Sequence, residues 1–589
     1  MSNIIGISAF FHDSSCCLLQ DGELVCAAEE ERFSRIKHDA RLPWQAFRYC
    51  LRQGGIEITD VDCIAYYENP TKKLARQIWT GIVDDGSRYM RERALAAIAR
   101  TPVEDSIRQG LGYNGPFEIV DHHLSHAASS FFYSGFDESA TMTVDGMGEW
   151  ASTTYGKAEG KDISIFEEVV FPNSLGMLYA TITAFLGFKV NSGEYKVMGL
   201  GPYGRPTYVG ALSKLIQSGS RGQYKIDPSY FEFASSERMY SDKLVDLLGN
   251  PPRKPESELT RFHFDLACSV QVVLEDVLLE KVRWLHQEVP SDHLCMAGGV
   301  ALNCVANHRI MTEGPYAQLF IQPAATDAGG ALGAAAVAYT RMFDRRPSQQ
   351  RLEHVYLGPG YGTDEVRELL LGSGVNGLDF RHDEAALLEE VVTRLVEGKV
   401  IGWFQGRMEF GPRALGARSI LADPRRADMR DRINAHVKMR EAFRPFAPAV
   451  LVDHAKDHFD MDHASPFMLE TCQVVSTLSL PAVTHVDGSA RIQTVSRKTS
   501  PRYAALLQRF NERTGCPMLL NTSFNMRGEP IVCTPTNALS AFVRSAIDTL
   551  VLEDFIVERE MIPPLWELAV SSMGMPKRSG INHDVYTLF

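Results

Sequence analysis

Apolar residues come along this chain in short continuous runs and in runs with helical spacing, each stopped by glycine, proline or a short polar residue. That interleaving predicts an α/β protein. The opening IIGISAF has the continuous apolar character of a buried strand, and after HDSSCCLLQ the pair Asp21-Gly22 turns the chain into ELVCAAEEE, giving strand, turn, strand. A similar unit begins at Ala140: ATMTVDG reads as a strand ending in Asp145, and STTYGKA returns beside it. Two such units far apart predict a duplicated fold with a cleft between its halves. HLCMAGGVALNCVANHRIM predicts a strand passing through Gly298-Gly299 into a helix, which suits close backbone approach to a nucleotide. DAGGALGAAAVAY predicts a helix of small residues.

From Arg345 to Glu353 (RRPSQQRLE) the composition turns polar, and GPGYG follows, so a domain boundary is expected there, with domains 1–352 and 353–589. Beyond it VVTRLVEGKVIGWFQG predicts a helix, a strand and an Arg-rich loop that open a second α/β domain. A chain of 589 residues is too long for one core, which agrees with two large domains. With 45% hydrophobic and 23% charged residues the composition is that of an ordinary globular protein, and a formal charge of -13 argues against a nucleic-acid partner. The start MSNIIGISAFFHDSSCC has no signal-peptide pattern and no apolar run nears the ~18 residues of a membrane span, so a cytoplasmic protein without membrane contact is expected. Eleven cysteines without C-x-x-C spacing are expected to be reduced and mostly buried. A homodimer is the base-rate expectation.

In DHHLSHAAS, His122 and His126 stand four apart, so on a helix their imidazoles share one face and could share a metal ion; a pair of cap or core histidines has the same spacing. A zinc hydrolase would carry Glu directly after the first His, where this chain has His123. Asp145, at a strand end, and Asp327, before the small-residue helix, could complete a set of two histidines and two aspartates suited to Fe(II), Zn or Mn. Either Asp alone could equally form a turn or cap a helix. From Arg407 to Arg444 the chain carries ten Lys or Arg against five Asp or Glu, reversing its overall balance. Arg forks bind phosphate oxygens, although a solvated face also collects charge. In MLLNTSFNMRGEPIV, Asn521, Ser523 and Asn525 follow a strand and could donate to phosphate oxygens, or form a plain turn. His12, beside Asp13, could be a general base or a structural histidine, and Glu194 and Lys196 lie in a cleft loop or a surface turn.

Nine segments in order, ISAFFHDSS, EEERFSRIKHD, HHLSHAAS, VDGMGE, YKVMGLGPYG, AGGVALNC, FGPRALGARSIL, FRPFAPAV and LLNTSFNMRGEPIV, resemble the NodU/CmcH family of O-carbamoyltransferases over nearly the whole chain. The resemblance implies an N-terminal duplicated domain of the actin and sugar-kinase (ASKHA) superfamily, like the universal threonylcarbamoyl-transferase, and a C-terminal YrdC-like domain. It implies that the latter makes carbamoyladenylate from carbamoyl phosphate and ATP, with Mg(II), and that the former passes the carbamoyl group to a hydroxyl of a small metabolite. By motif position, Arg413, Arg418, Lys438, Arg444, Arg491, Asn521 and Ser523 would hold carbamoyl phosphate and ATP. His122, His126, Asp145 and Asp327 would hold Fe(II) or another divalent metal. Gly146, Lys196, Gly298, Gly299 and Asn303 would line the carbamoyladenylate site of the N-terminal domain. His12 with Asp13, and Lys438 with Arg444, are the expected catalytic groups. Relatives often read GLAPYG where this chain has Gly201, a change expected to matter little. The motif-poor stretch 205–262 is expected to vary with the acceptor. A small-molecule kinase of the same superfamily and a non-catalytic nucleotide-binding protein are the rival readings.

Overall fold

The strand, turn, strand at the N-terminus forms as β1 (Asn3–Ser8), β2 (Ser15–Gln20) and β3 (Glu23–Glu29), antiparallel in turn, with β4 (Cys63–Tyr66) and β5 (Phe117–Ile119) added in parallel on the other side of β1. The order is β3-β2-β1-β4-β5. The pattern then repeats. β6 (Glu138–Val144), β7 (Ala151–Glu159) and β8 (Asp162–Val170) are antiparallel in turn; a small hairpin of β9 (Ile216–Ser218) and β10 (Tyr224–Ile226) intervenes; β11 (His293–Ala297) and β12 (Gln318–Ile321) join β6 in parallel. The order β8-β7-β6-β11-β12 matches the first sheet strand for strand, so the duplication expected from the sequence is present. The computed structural model describes residues 1–83, 88–233, 238–347 and 350–572. Positions 234–237 of the stretch 205–262, and 348 and 349 of the polar boundary stretch, lie outside the described residues.

In each copy a helix follows the fifth strand: His122–Phe131 after β5 and Asp327–Phe343 after β12. The two helices pack on each other, and the second also lies along β1. The Gly and Ala content of DAGGALGAAAVAY follows from this contact. A Cβ on Gly6 would overlap the carbonyl oxygen of Ala331, and one on Gly333 would overlap that of Ser125, so backbones meet with no room for side chains. Thus sheet, helix pair and sheet form one N-terminal unit of Met1–Glu30 and His38–Leu352.

The second unit takes residues 353–572 together with Glu31–Lys37. That short segment is bound there by Arg32, which donates to Gly411 O at 2.8 Å, and by Arg35, which donates to Ile531 O at 2.6 Å and Pro530 O at 2.7 Å. Phe33 packs on Met408, Ala414, Ile531 and Cys533. The unit's strands are β13 (Leu378–Asp379), β14 (Ile401–Phe404), β15 (Arg418–Ala422), β16 (Ala447–Leu451), β17 (Thr471–Gln473), β18 (Ser489–Arg491), β19 (Gln493–Val495), β20 (Met518–Ser523), β21 (Thr549–Leu552) and β22 (Phe555–Glu558). Eight of them make a mixed sheet ordered β13-β22-β21-β14-β15-β20-β16-β19, while β17 pairs with β18. β14, β15 and β21 are buried along their whole length, and apart from Arg418, Ser419 and Thr549 at their starts they are apolar. All eleven cysteines are free thiols, ten of them buried, as the composition led one to expect. Among the described residues no helix is long and apolar enough to cross a membrane.

Candidate active site

His122 and His126 lie on the first and second turns of helix His122–Phe131, and their spacing turns both rings to one side. Asp145 directly follows β6, and Asp327 is the first residue of its helix, behind the capping Thr326. These four side chains converge, each offering one ligand atom within 4.8 Å of the others. His122 Nε2 is 3.1 Å from His126 Nε2 and 3.1 Å from Asp145 Oδ2, His126 Nε2 is 3.3 Å from Asp145 Oδ2, and Asp327 Oδ1 stands 3.8 and 3.7 Å from the two rings. Both Nδ1 atoms are buried without a hydrogen-bond partner among the described residues, so each ring presents its Nε2 to the common point. Two imidazoles and two carboxylates facing one point fit a transition-metal dication better than Mg(II).

The electrostatics agree with a cation-seeking cluster. Burial opposes the His122 imidazolium, but the Asp145 hydrogen bond and the charge of Asp327 outweigh it and lift the group to about 9. His126 is raised against burial in the same way by Asp145 and Asp327. Burial pushes both carboxyls up, yet the imidazoles hold Asp145 and Asp327 below the usual carboxylate range. His123 is the opposite case: burial and the two neighbouring rings push it down to about 3. It stays neutral, accepting from Thr143 Oγ1 at 2.6 Å and donating to Ala151 O at 2.9 Å. Around the four, Asp145 Oδ1 accepts from Gly146 N at 2.7 Å and Gly299 N at 3.1 Å, and Tyr67 donates to Asp327 Oδ2 at 3.2 Å. Glu149 Oε1 accepts from His122 N at 2.8 Å and Asn69 N at 2.7 Å, anchoring the helix start. A Cβ on Gly298, which has φ 93°, would overlap Val144 O, so that turn passes β6 at backbone distance.

His12 joins this group from the loop after β1. Its Nδ1 is 3.2 Å from Asp13 Oδ2 and its Nε2 is 3.9 Å from Asp327 Oδ2. Burial disfavours its charged form, but Asp327, then Asp13 and Asp145, lift it to about 9. Asp13 also takes His38 Nδ1 at 2.6 Å, and despite burial that contact helps hold its carboxyl well below the ordinary range.

In the second unit, seven of the ten basic residues from Arg407 to Arg444 have partners that account for them. Arg425, Arg426, Arg430 and Arg432 pair with Asp423, Asp428, Asp431 and Asp548; Arg407 and Arg418 donate to carbonyls, and Arg440 to Asn434. Arg413, Lys438 and Arg444 complete the run, and Arg491 ends β18. Lys438 is buried, and its Nζ donates to Ser523 Oγ at 3.1 Å, Asn525 O at 3.2 Å and Asn525 Oδ1 at 2.6 Å, and to Ser523 O. Burial first, then the charges of Arg440, Arg444 and Lys37, pushes its pKa well below that of an ordinary lysine. Arg444 lies 3.8 Å from Glu441. Asn521, two residues before Ser523 on β20, donates to Ala414 O at 3.2 Å and Gln493 Oε1 at 2.7 Å, and Gln493 donates to Leu415 O at 2.8 Å. This lattice ties the Arg413 loop, the start of β19 just after Arg491, and the strand bearing Ser523 to one another.

Four expected ligand residues take other parts. Arg418 is fully buried, stacks 3.5 Å over the Phe404 ring, and donates to the carbonyls of Gln405, Gly406, Ala417 and Pro359, which makes it a structural arginine rather than a phosphate ligand. Asn521 is buried in the lattice just described and acts on the Arg413 loop rather than on a ligand. Asn303 caps helix Cys304–Glu313 through Ala306 N at 3.0 Å and pairs with Gln271 on both amide atoms. Lys196 stands over the Phe188 ring at 5.4 Å, not over the four-ligand cluster, while Glu194 accepts from Asn191 N and Gly193 N at 3.0 Å. The sequence reading gave no role to Gln493, Glu149 or Glu409; of these Glu149, which closes VDGMGE, and Glu409, a lone acid ahead of GPRALGARS, carried a visible signal.

A family model described as the carbamoyltransferase N-terminus matches residues 3–336, and one described as the carbamoyltransferase C-terminus matches 392–559. The uncharacterized Synechocystis protein sll1178 is 43% identical over 96% of this chain and 98% of its own. Nodulation protein NolNO of Sinorhizobium fredii is 38% identical over 95% of this chain and 80% of its own, and nodulation protein U of the same species is 28% identical over 88% and 92%. Among solved structures, component A of (R)-2-hydroxyglutaryl-CoA dehydratase from Acidaminococcus fermentans aligns with 58% of this chain and 99% of its own at 13% identity and a TM-score of 0.31. The N-terminal model alone takes in more than half of the chain, and with the C-terminal model behind it in the same order, the chain belongs to the carbamoyltransferase family.

Proposed function

We propose that this enzyme is an ATP-dependent O-carbamoyltransferase that works in two half-reactions. The observation that carries the reading is that a carbamoyltransferase chain holds two unlike ligand sets, a two-histidine, two-aspartate cluster in the N-terminal unit and a cationic set in the C-terminal unit. A transfer alone needs one site; activation followed by transfer needs two.

In the C-terminal unit, read as YrdC-like, carbamoyl phosphate and water give carbamate and phosphate. A carbamate oxygen attacks the α-phosphorus of ATP, brought in with Mg(II), and pyrophosphate leaves carbamoyladenylate behind. Arg413, Arg444 and Arg491 hold phosphate oxygens, and Lys438, fixed by Ser523 and Asn525, stabilises charge that develops at the reacting phosphorus. In the N-terminal unit, read as the actin and sugar-kinase-like transfer domain, a hydroxyl of a small metabolite, a natural product or a sugar, attacks the carbamoyl carbon and AMP leaves. His12 takes the hydroxyl proton at Nε2 while Asp13 holds Nδ1. The lift of His12 to about 9 comes from Asp327, then from Asp13 and Asp145; Asp327 and Asp145 are carboxylates that a metal ion would neutralise. Gly146, Gly298 and Gly299 present backbone to the adenylate. His122, His126, Asp145 and Asp327 would hold Fe(II) or another divalent metal, which would supply Lewis-acid polarisation of the carbamoyl oxygen.

The test is product analysis of the protein mixed with carbamoyl phosphate and ATP, without acceptor. Pyrophosphate release that depends on carbamoyl phosphate is expected. ADP as the only nucleotide product would favour a kinase, and nucleotide binding without turnover would favour a binding protein.

A further inference from the structure

Glu409 is an acid where the proposed chemistry calls for cations. It is buried, and its Oε1 accepts from three backbone N–H groups at the end of the following loop and the start of β15: Leu415 N at 2.7 Å, Ala417 N at 2.8 Å and Arg418 N at 3.3 Å. The loop between β14 and β15 has no helix or strand of its own to satisfy its backbone. Its carbonyls are taken from the outside: Ala414 O by Asn521, Leu415 O by Gln493 and by Tyr356 at 2.8 Å, and Gly416 O by Trp403 Nε1 at 2.9 Å. Side-chain donors thus hold the loop by its oxygens, and one carboxylate holds it by its nitrogens. Gly411 and Gly416, at φ 112° and 109°, give the loop its two reversals.

Glu409 Oε2 is buried without a hydrogen-bond partner among the described residues. A half-satisfied buried carboxylate costs stability, against which the charge of the buried Arg418 nearby acts. What it supplies is a charge-assisted acceptor able to serve three N–H groups at once. Arg413 is the residue just before this clamp. We propose that Glu409 is a positioning residue for carbamoyl phosphate: it fixes the loop that aims Arg413 at the anion, without touching the anion itself. The inference rests on the two-step reading, with Arg413 as a phosphate ligand.

The experiment is steady-state pyrophosphate release by wild type, Glu409→Ala and Glu409→Gln at varied carbamoyl phosphate and ATP, with melting curves for each. For Glu409→Ala the KM for carbamoyl phosphate should rise by on the order of tenfold to a hundredfold, as a misplaced ligand-binding group does. Its kcat and its KM for ATP should stay near those of wild type. Glu409→Gln keeps an acceptor oxygen without its charge, so its KM should rise only about fivefold, which also decides the matter should the Ala variant fail to fold. An unchanged KM for carbamoyl phosphate in a folded variant overturns the role. So does a loss that falls equally on kcat and on both KM values and tracks the melting temperature. A wild-type protein that releases no carbamoyl-phosphate-dependent pyrophosphate brings down the two-step reading itself, and is told apart by the control alone.

Discussion

The two candidate sites of this carbamoyltransferase are built by opposite methods. In the N-terminal unit the ligands sit where regular elements begin and end: His122 and His126 on the helix after the fifth strand of one sheet, Asp327 on the helix after the fifth strand of the other, Asp145 after the first strand of the second sheet. His12 stands in the loop after the first strand of the first sheet, as Asp145 stands in the loop after the first strand of the second. Duplication alone brings these residues together, because equivalent strand ends of two like sheets face one cleft. In the C-terminal unit Arg413 sits on irregular backbone, and its loop is held by other side chains, Glu409, Gln493, Asn521, Tyr356 and Trp403, that clamp it. The first site inherits its precision from the fold; the second assembles it bond by bond.

The comparison breaks most visibly if one site is removed and the other fails with it. His122→Ala is expected to lower metal affinity more than about a hundredfold and abolish transfer to acceptor, while pyrophosphate release survives. Metal titration and pyrophosphate release on the same preparation check this, and parallel loss of both would show one shared site. Arg444→Ala should do the reverse: carbamoyladenylate formation falls on the order of a hundredfold, and transfer from supplied carbamoyladenylate persists. If the fold sets the first site, a mutation far from the ligands must disturb it. Gly333→Ala, whose new carbon meets the Ser125 carbonyl, should cost about 3 kcal/mol and weaken metal binding through the displaced helix of Asp327, as read by melting and titration.

The smallest effect concerns acids. Those of the first site are held ionised by imidazoles, whereas Glu553 in the second unit is pushed by burial from 4.5 up to about 7, only partly offset by Arg418, Gly406 N and Arg502. Between those values the folded state keeps a proton that the unfolded state gives up, so stability falls as pH rises from about 4.5 and the full penalty, at most about 3 kcal/mol, is in place above 7. Glu553→Gln should flatten that slope and raise the melting temperature at pH 8 by a few degrees, with little change at pH 5. An unaltered slope would place the cost in another group.

The same contrast explains what could be read from the sequence. Asp145 and Asp327 were legible because each closes an apolar run or opens a small-residue helix, and the His122 and His126 spacing is local. Arg418 was misjudged because its type suggested a ligand, although RSILA already reads as the head of a buried strand. Gln493 left no mark, and Glu149 closed VDGMGE without revealing its role, since their bonds span 78 and 27 residues respectively and a side chain says nothing locally about a partner that distant. The same holds for Glu31–Lys37, whose place in the second unit depends on carbonyls of Gly411, Pro530 and Ile531.

Gly6 and Gly333 also constrain how such a protein can drift. At these two positions a single added carbon meets a carbonyl oxygen, so most one-step substitutions are closed without a matching displacement of the opposite chain. A lineage that exchanges loops for a new acceptor leaves this contact alone, and the spacing between the two helices, with the ligands at their ends, is passed on as a block. In this chain, either helix can change its packing there only if the backbone opposite moves with it.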